Sequence, residues 1–440
     1  MAQQLRRELG TPGAVLMGLG SIIGTGIFVS VGIGAGIAGP AVILAVALAA
    51  VLAACNGLSS AQLAANHPVS GGTYEYGYRY LNERLGFTAG WLFLLAKSAS
   101  AAAAALGFAG YLLAALNLDS SGLRVPVALA ATVVLTTVVL GGIRRSNRAN
   151  TAIVMLTLLA LAVFIVSGLP RIDPANLSPF LPSDADGGLS ALLHATALIF
   201  VAYTGYGRIA TMGEEVRTPR RTIPRAIIAT LLLTMALYGT TALVSVGLIG
   251  APALASAVET TAAPLQAAAE SVGPPLVARM VAVGAITAML GVLLNLILGL
   301  SRVLLAMGRR GDMPPLLTRL STAGTTPAPA VLTVGVTIGL LTLTGSVHTT
   351  WSFSAFTVLI YYAITNLAAL RLPVEMRLFP RAFTWAGLGA CLFLAFWVEP
   401  AVWLAGLALI AAGLIWQMFA RQRWGAAVAN PSAPRQSGPG

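Results

Sequence analysis

Twelve predominantly apolar runs, separated by short polar breaks, constrain this chain more than any other feature. They lie near 14–38, 41–63, 88–116, 125–141, 151–169, 191–213, 226–249, 276–306, 328–344, 351–370, 383–398 and 401–419. A helix that crosses a bilayer needs about 20 such residues, so most of the 440 residues are accounted for by crossings and the turns between them. Hydrophobic residues make up 57% of the chain and charged residues 9%, against about 45–50% and about 25% in soluble domains. An ordinary soluble enzyme is excluded. The 47 Gly and 24 Pro fall inside apolar runs instead of repetitive tracts, which excludes collagen-like and disordered chains. The expectation is an all-α integral membrane protein with twelve transmembrane helices in one unit over 14–419, between an N-terminal tail (1–13) and a disordered tail (420–440).

The formal net charge of +12 would suggest a nucleic-acid partner in a soluble protein. Its distribution points to the bilayer instead. If the N-terminus is inside, the inner connections carry clusters such as Arg217, Arg220, Arg221 and Arg225, or Arg309, Arg310 and Arg319, while the outer ones carry Asp173, Glu259, Glu270 and Glu399 with few arginines. The positive-inside rule then puts both termini in the cytoplasm. No small-residue cleavage site follows a short hydrophobic core at the start, so no cleaved signal is expected. Cys55 and Cys391 lie in apolar stretches and read as small core residues. His67, His194 and His348 are scattered, and no spacing of Cys, His, Asp or Glu resembles a metal site. There is no phosphate loop, nucleophile elbow or carboxylate pair, so no catalytic residues, cofactor or enzyme activity are expected. The connections at 170–188 and 251–275 are the longest outer ones, either lids over a vestibule or inert loops.

Two spans are interrupted in the same way. The first reads Gly18-Leu-Gly-Ser-Ile-Ile-Gly-Thr-Gly-Ile-Phe28 and the sixth Phe200-Val-Ala-Tyr-Thr-Gly-Tyr-Gly207, each with paired glycines near mid-depth. Glycine costs a helix about 1 kcal/mol relative to alanine, and in membranes it also serves close packing, as Gly20 and Gly24 in a small-xxx-small relation would. The two clusters are five spans apart, as expected for two repeats over about 14–169 and 191–370 followed by two more helices, and paired interruptions of that kind mark a solute site. Opened backbone at mid-membrane must line a polar cavity or meet a ligand. The start of the second half-helix offers N–H donors to a carboxylate, and unwound carbonyls accept from an ammonium. Together they suit the zwitterionic end of an α-amino acid.

The run 20–28, the loop Pro68-Val-Ser-Gly-Gly-Thr-Tyr-Glu-Tyr76, Gly90-Trp91, and Phe200-Val-Ala-Tyr-Thr-Gly-Tyr206 followed by Glu214-Glu215-Val-Arg-Thr-Pro219 and Ile223-Pro224 resemble the amino acid-polyamine-organocation superfamily. Ser301-Arg302 and Arg309-Arg310-Gly-Asp-Met-Pro314 extend the likeness over about 10–420. The resemblance implies a LeuT-like five-plus-five inverted repeat with unwound helices 1 and 6. It implies that the substrate carboxylate meets the amides of Thr25 and Gly26 beside Gly24, and that the amino group meets the carbonyls of Ile22, Val201, Ala202 and Thr204 next to Gly205. Val201 stands where relatives often carry a gating aromatic.

The departures from that pattern concern charge. Thr157 stands where proton-coupled relatives often have a lysine, and Ala96 where relatives that carry cationic amino acids often have a glutamate. The chain's single lysine, Lys97, lies about nine residues into span three, roughly 14 Å along a helix. A cation at that depth pairs, reaches water or gives up its proton. One reading makes Lys97 the proton-coupling residue, and the other has it snorkel to the inner interface. Arg208 after the span-six break either pairs or touches substrate, and with Glu214, Glu215 and Arg302 it forms an expected inner gate. Thr287 and Asn295 are expected to hydrogen-bond between helices.

These readings converge on a secondary active transporter of neutral α-amino acids in the plasma membrane of a bacterium, with the amino acid, a proton and membrane lipid as partners and no nucleic acid. An uncoupled exchanger or exporter, and a non-transporting amino-acid sensor, remain as alternatives.

Overall fold

The computed structural model describes residues 10–68, 71–119, 122–142, 147–181, 183, 187–211, 216–321 and 326–425. Glu214 and Glu215 lie outside the described residues, as does the tail beyond 425. Every regular element among the described residues is helical. In chain order these are α1 (Thr11–Ile22), α2 (Val31–Ala38), α3 (Val42–Asn66), α4 (Thr73–Tyr80), α5 (Glu83–Ala115), α6 (Arg124–Leu140), α7 (Asn147–Gly168), α8 (Gly188–Tyr203), α9 (Gly207–Ala210), α10 (Pro219–Thr260), α11 (Pro264–Glu270), α12 (Pro275–Arg309), α13 (Ala328–Thr342), α14 (Val347–Leu370), α15 (Arg381–Ala395) and α16 (Pro400–Ala420). Among the described residues, eight continuous helical stretches are long and apolar enough to cross a membrane, and four shorter apolar helices accompany them.

The interior is organised around α5. Its run Ala101-Ala-Ala-Ala-Ala105 is wholly buried, and these small side chains let α12 and α14 pack closely against it. Alanine is also the best helix former, so close packing and helix propensity agree there. At the periphery, large apolar side chains point outwards: Val166 on α7, Val336 and Leu340 on α13, and Met418 and Phe419 on α16 are all exposed. Exposed apolar surface on that scale is what a lipid solvent calls for.

Several boundaries differ from the expected ones, for identifiable reasons. Helix α1 begins at Thr11 instead of residue 14, because Pro12 sits in its first turn, where its missing N–H is not needed. The stretch 251–275 is not an open connection. Helix α10 runs on to Thr260, and at 1.5 Å per residue its 42 residues would far exceed the bilayer if straight. It turns at Gly250, whose φ of 77° places it in the left-handed region that glycine adopts without a steric penalty. Pro264 and Pro275 then open α11 and α12. The C-terminal tail remains helical as far as Gly425, beyond the expected limit of 419.

Candidate functional site

Helix α1 stops at Ile22 because Ile23 takes an extended conformation (φ −76°, ψ 110°). Gly24 and Thr25 form the break, and a π-helical turn over Gly26–Ser30 leads into α2. The N–H groups of Ile27 and Phe28 both turn back to the Gly24 carbonyl. Those of Thr25 and Gly26 head the new segment, where helix geometry offers no acceptor. The Thr25 hydroxyl is buried, 3% exposed as a residue, and makes no hydrogen bond among the described residues.

The sixth span does not open in the same way. Helix α8 tightens into a 3₁₀ turn at Thr204–Tyr206 and continues for one turn as α9. Thr204 has helical angles, so the expected unwinding is replaced here by a local over-winding. The carbonyls at this point are engaged: Thr204 Oγ1 donates to Val201 O at 2.7 Å, and Tyr362 OH donates to Thr204 O at 3.2 Å. Tyr238 on α10 ties the two interruptions together, its hydroxyl lying 2.9 Å from Ile22 O and 3.3 Å from Ala202 O. Val201 O also accepts the Thr204 N–H and Thr204 O the Gly207 N–H, so both lone pairs of these two carbonyls are engaged.

Glycine sets the distance between the two spans. A Cβ on Gly26 would stand 2.7 Å from Ala202 Cβ and 3.0 Å from Tyr238 OH, and one on Gly205 would overlap the Ser21 carbonyl. The backbones therefore touch where they are interrupted. Between them lies a cavity of about 50 Å³ lined by Ile22, Thr25, Gly26, Val201, Ala202, Thr204 and Gly205, the expected residues apart from Gly24, together with Ser21, Ser100, Val292, Leu296 and Trp351. Gly24 instead faces Val292 on α12. A second space of about 150 Å³ adjoins it and is lined by Phe93, Thr211, Asn295, Tyr361, Arg208 and Arg302 among others. Lys97 borders both spaces, and its Nζ donates to Thr204 Oγ1 at 2.7 Å. It is turned into the interior and does not snorkel.

The relatives of this chain include transporters and permeases. The family model described as "Amino acid permease" matches residues 13–431. The chain belongs to the amino acid permease family. An uncharacterized transporter of Mycobacterium tuberculosis is 40% identical over 413 residues, 93% of this chain and 90% of that one. The branched-chain amino acid permease BcaP of Bacillus subtilis is 30% identical over 358 residues, covering 77% and 75%. A methylthioribose transporter of the same organism is 33% identical over 258 residues, 54% of each chain. With its long apolar helices, this permease is a multi-pass membrane protein.

In this permease the residues expected at the inner gate are only partly brought together. Arg208 and Arg302 line the same space, and Arg302 makes no ion pair among the described residues, while Glu214 and Glu215 lie outside them. A different network closes that end of the bundle. Asp312, 1% exposed, accepts from Tyr74 OH at 2.8 Å and Tyr78 OH at 2.7 Å, with Arg421 Nε 3.9 Å from its other oxygen. Arg310 pairs with Glu75 at 2.7 Å and lies over both tyrosine rings. Burial raises the Asp312 pKa, and the two phenols and Arg310 pull it back. Among the described residues, Thr287 does not bond between helices but turns back on Val283 O, and Asn295 Nδ2 is buried without a partner. At the expected lysine position, Thr157 donates within its own helix to Ile153 O at 2.8 Å.

The histidines are less scattered than the sequence implied. Glu399, which caps α16, stands 3.5 Å from His194 Nε2 on α8 and 3.6 Å from His348 Nε2 on α14, and Ser352 Oγ donates to it at 3.3 Å. Burial works against the charge of this carboxylate, but His194, the backbone at the helix start and His348 outweigh it and hold its pKa down at about 2, against an ordinary 4.5. A depressed carboxylate contributes stability that is present above its unfolded pKa and lost as pH falls through the folded one. The protein should therefore lose thermal stability between pH 4.5 and about 2, and Glu399→Gln should flatten that part of the profile. Equal slopes in melts of the two proteins would show that the cluster contributes nothing.

Proposed function

We propose that this protein is a secondary active transporter, not an enzyme, that moves neutral α-amino acids by alternating access around its first and sixth spans. In this reading the bundle has twelve spans, formed by a LeuT-like five-plus-five inverted repeat and two added helices, in the plasma membrane with both termini cytoplasmic. The observation that carries it is the meeting of the two interruptions around one small cavity, with the orphaned, buried Thr25 hydroxyl on its wall. The carboxylate of the solute meets the Thr25 and Gly26 amides, at the positive end of a half-helix. Its ammonium meets the Ile22, Val201, Ala202 and Thr204 carbonyls, spaced by Gly24 and Gly205, in place of the hydroxyl donors that they accept here. The side chain faces Val201, Val292, Leu296 and Trp351, an apolar wall suited to an aliphatic group.

Charge supports the neutral class. No acid is among the described residues that line either space, and Lys97 borders both. A cationic side chain would meet a like charge, which costs several kcal/mol at about 4 Å and an effective dielectric near 20. Lys97 is the proposed proton-coupling residue, while Arg208, Arg302, Glu214 and Glu215 form the proposed inner gate. The closed Thr157 hydrogen bond favours a second reading, amino-acid exchange without ion coupling.

A melting screen of the purified protein against the twenty amino acids tests the substrate class directly. A ligand at 100 times its Kd stabilises the folded state by about 2.7 kcal/mol, so branched and other aliphatic amino acids should raise the melting temperature and arginine should not. In proteoliposomes the same neutral amino acids should displace labelled substrate. Arginine competing as strongly as leucine at neutral pH would overturn the assignment to neutral solutes.

A further inference from the structure

At the end of α12 opposite to Arg302, a groove of about 470 Å³ opens at the surface between the end of α5, α11 and the first turns of α12. Its upper part is polar. Glu270 is exposed and accepts a hydrogen bond from Gln266 Nε2 at 3.1 Å. Gln266 is 6% exposed, and its Oε1 has no partner among the described residues. Arg279, one turn into α12, is exposed and makes no hydrogen bond or ion pair among the described residues. Its lower part is apolar: Ala278, Ala282, Val283 and Ile286 follow one another down the same face of the helix.

Arg279 shares a stripe with Leu276, 65% exposed, and Val283, 48% exposed, three residues before it and four after. Exposed apolar residues on a spanning helix face acyl chains, so this guanidinium sits at the boundary where lipid headgroups begin. A guanidinium matches phosphate oxygens with two parallel N–H donors. Across the groove, the Glu270 carboxylate and Gln266 Oε1 are acceptors, the complement of a cation that carries its own N–H groups. The polar pair and the apolar strip together ask for one ligand with an anion, a primary ammonium and a hydrocarbon tail.

We propose that this groove binds a phospholipid with a primary-amine headgroup, its phosphate on Arg279, its ammonium on Glu270 and Gln266 Oε1, and its acyl chain along Ala282, Val283 and Ile286. A choline headgroup has the same net charge but no N–H to donate, and a glycerol headgroup has no cation. The occupant is a lipid and not a free zwitterion, because the apolar strip continues below the charged groups. The site does not depend on which solute the protein carries.

Native mass spectrometry of the full chain, released from vesicles containing equal amounts of phosphatidylethanolamine, phosphatidylcholine and phosphatidylglycerol, tests this. Phosphatidylethanolamine should be retained about tenfold over the other two, as one or two charge-assisted hydrogen bonds imply. Glu270→Gln should abolish its advantage over phosphatidylcholine, and Arg279→Gln should lower retention of all three. Both side chains are exposed, and each variant's melting curve in detergent should match that of the parent. Equal retention of the three lipids, a preference for phosphatidylglycerol, or displacement of bound lipid by soluble phosphoethanolamine would each overturn the proposal.

Discussion

Replacing Gly26 by leucine should reduce amino-acid uptake to background while the protein still inserts into the membrane and purifies as a single species. The reason is distance. Even a bare Cβ at Gly26 would stand 2.9 Å from Ala202 Cα, a backbone atom that cannot swing aside, and 3.0 Å from Tyr238 OH. The added branches would fill the cavity of about 50 Å³ and cover the Thr25 hydroxyl. A milder variant separates blockage from misfolding. Tyr238→Phe keeps the ring and removes only the hydroxyl that reaches Ile22 O and Ala202 O, so uptake should fall by about tenfold, on the order of what one hydrogen bond is worth. Uptake into proteoliposomes is the measurement. Normal transport by a well-folded Gly26→Leu protein would remove the cavity between the two interruptions from the mechanism.

The first interruption was legible because Gly24 and Gly26 flank Thr25 inside an otherwise apolar run, and a chain gains little from weakening a helix there unless the backbone is needed. The second was legible as a place but not as a conformation. Gly205 serves the contact with Ser21, and Thr204 stays helical, so the glycine there sets close packing and not an opened backbone. Tyr238 and Trp351 gave no signal. An aromatic residue within an apolar span looks the same from sequence whether it is core or wall, and only the fold brings Tyr238 OH within reach of both carbonyls. The grouping of His194, His348 and Glu399 was hidden for a related reason, since it joins residues on three helical segments that are far apart in the chain. Prolines misled in one direction. Pro252, Pro264 and Pro275 look like breaks, yet each stands in the first turn of a helical segment or just past a kink, where a missing N–H costs nothing.

Lys97→Met should uncouple the transporter without stopping it. Methionine keeps an unbranched stem of similar reach and removes the charge, so the packing along α5 changes little. The lost feature is specific: the donor 2.7 Å from Thr204 Oγ1, whose hydroxyl in turn donates a hydrogen bond to Val201 O at 2.7 Å where α8 enters the 3₁₀ turn of the sixth span. Through that chain, the charge on the amine bears on a carbonyl proposed to hold the substrate ammonium. A protonated Lys97 and a substrate ammonium would compete for the same oxygens and repel each other across the cavity. Loading the substrate then favours release of the lysine proton, and the proton's return favours release of the substrate, which is reciprocal coupling between two ligands at one site. In proteoliposomes the variant should lose uptake driven by a pH gradient while it still exchanges labelled for unlabelled substrate at a rate within about threefold of the parent, the scatter expected for a near-isosteric core change. If gradient-driven uptake is unchanged in Lys97→Met, the lysine has a structural role at Thr204 only. If exchange vanishes along with it, the amine is needed for binding itself and the coupling scheme is overturned.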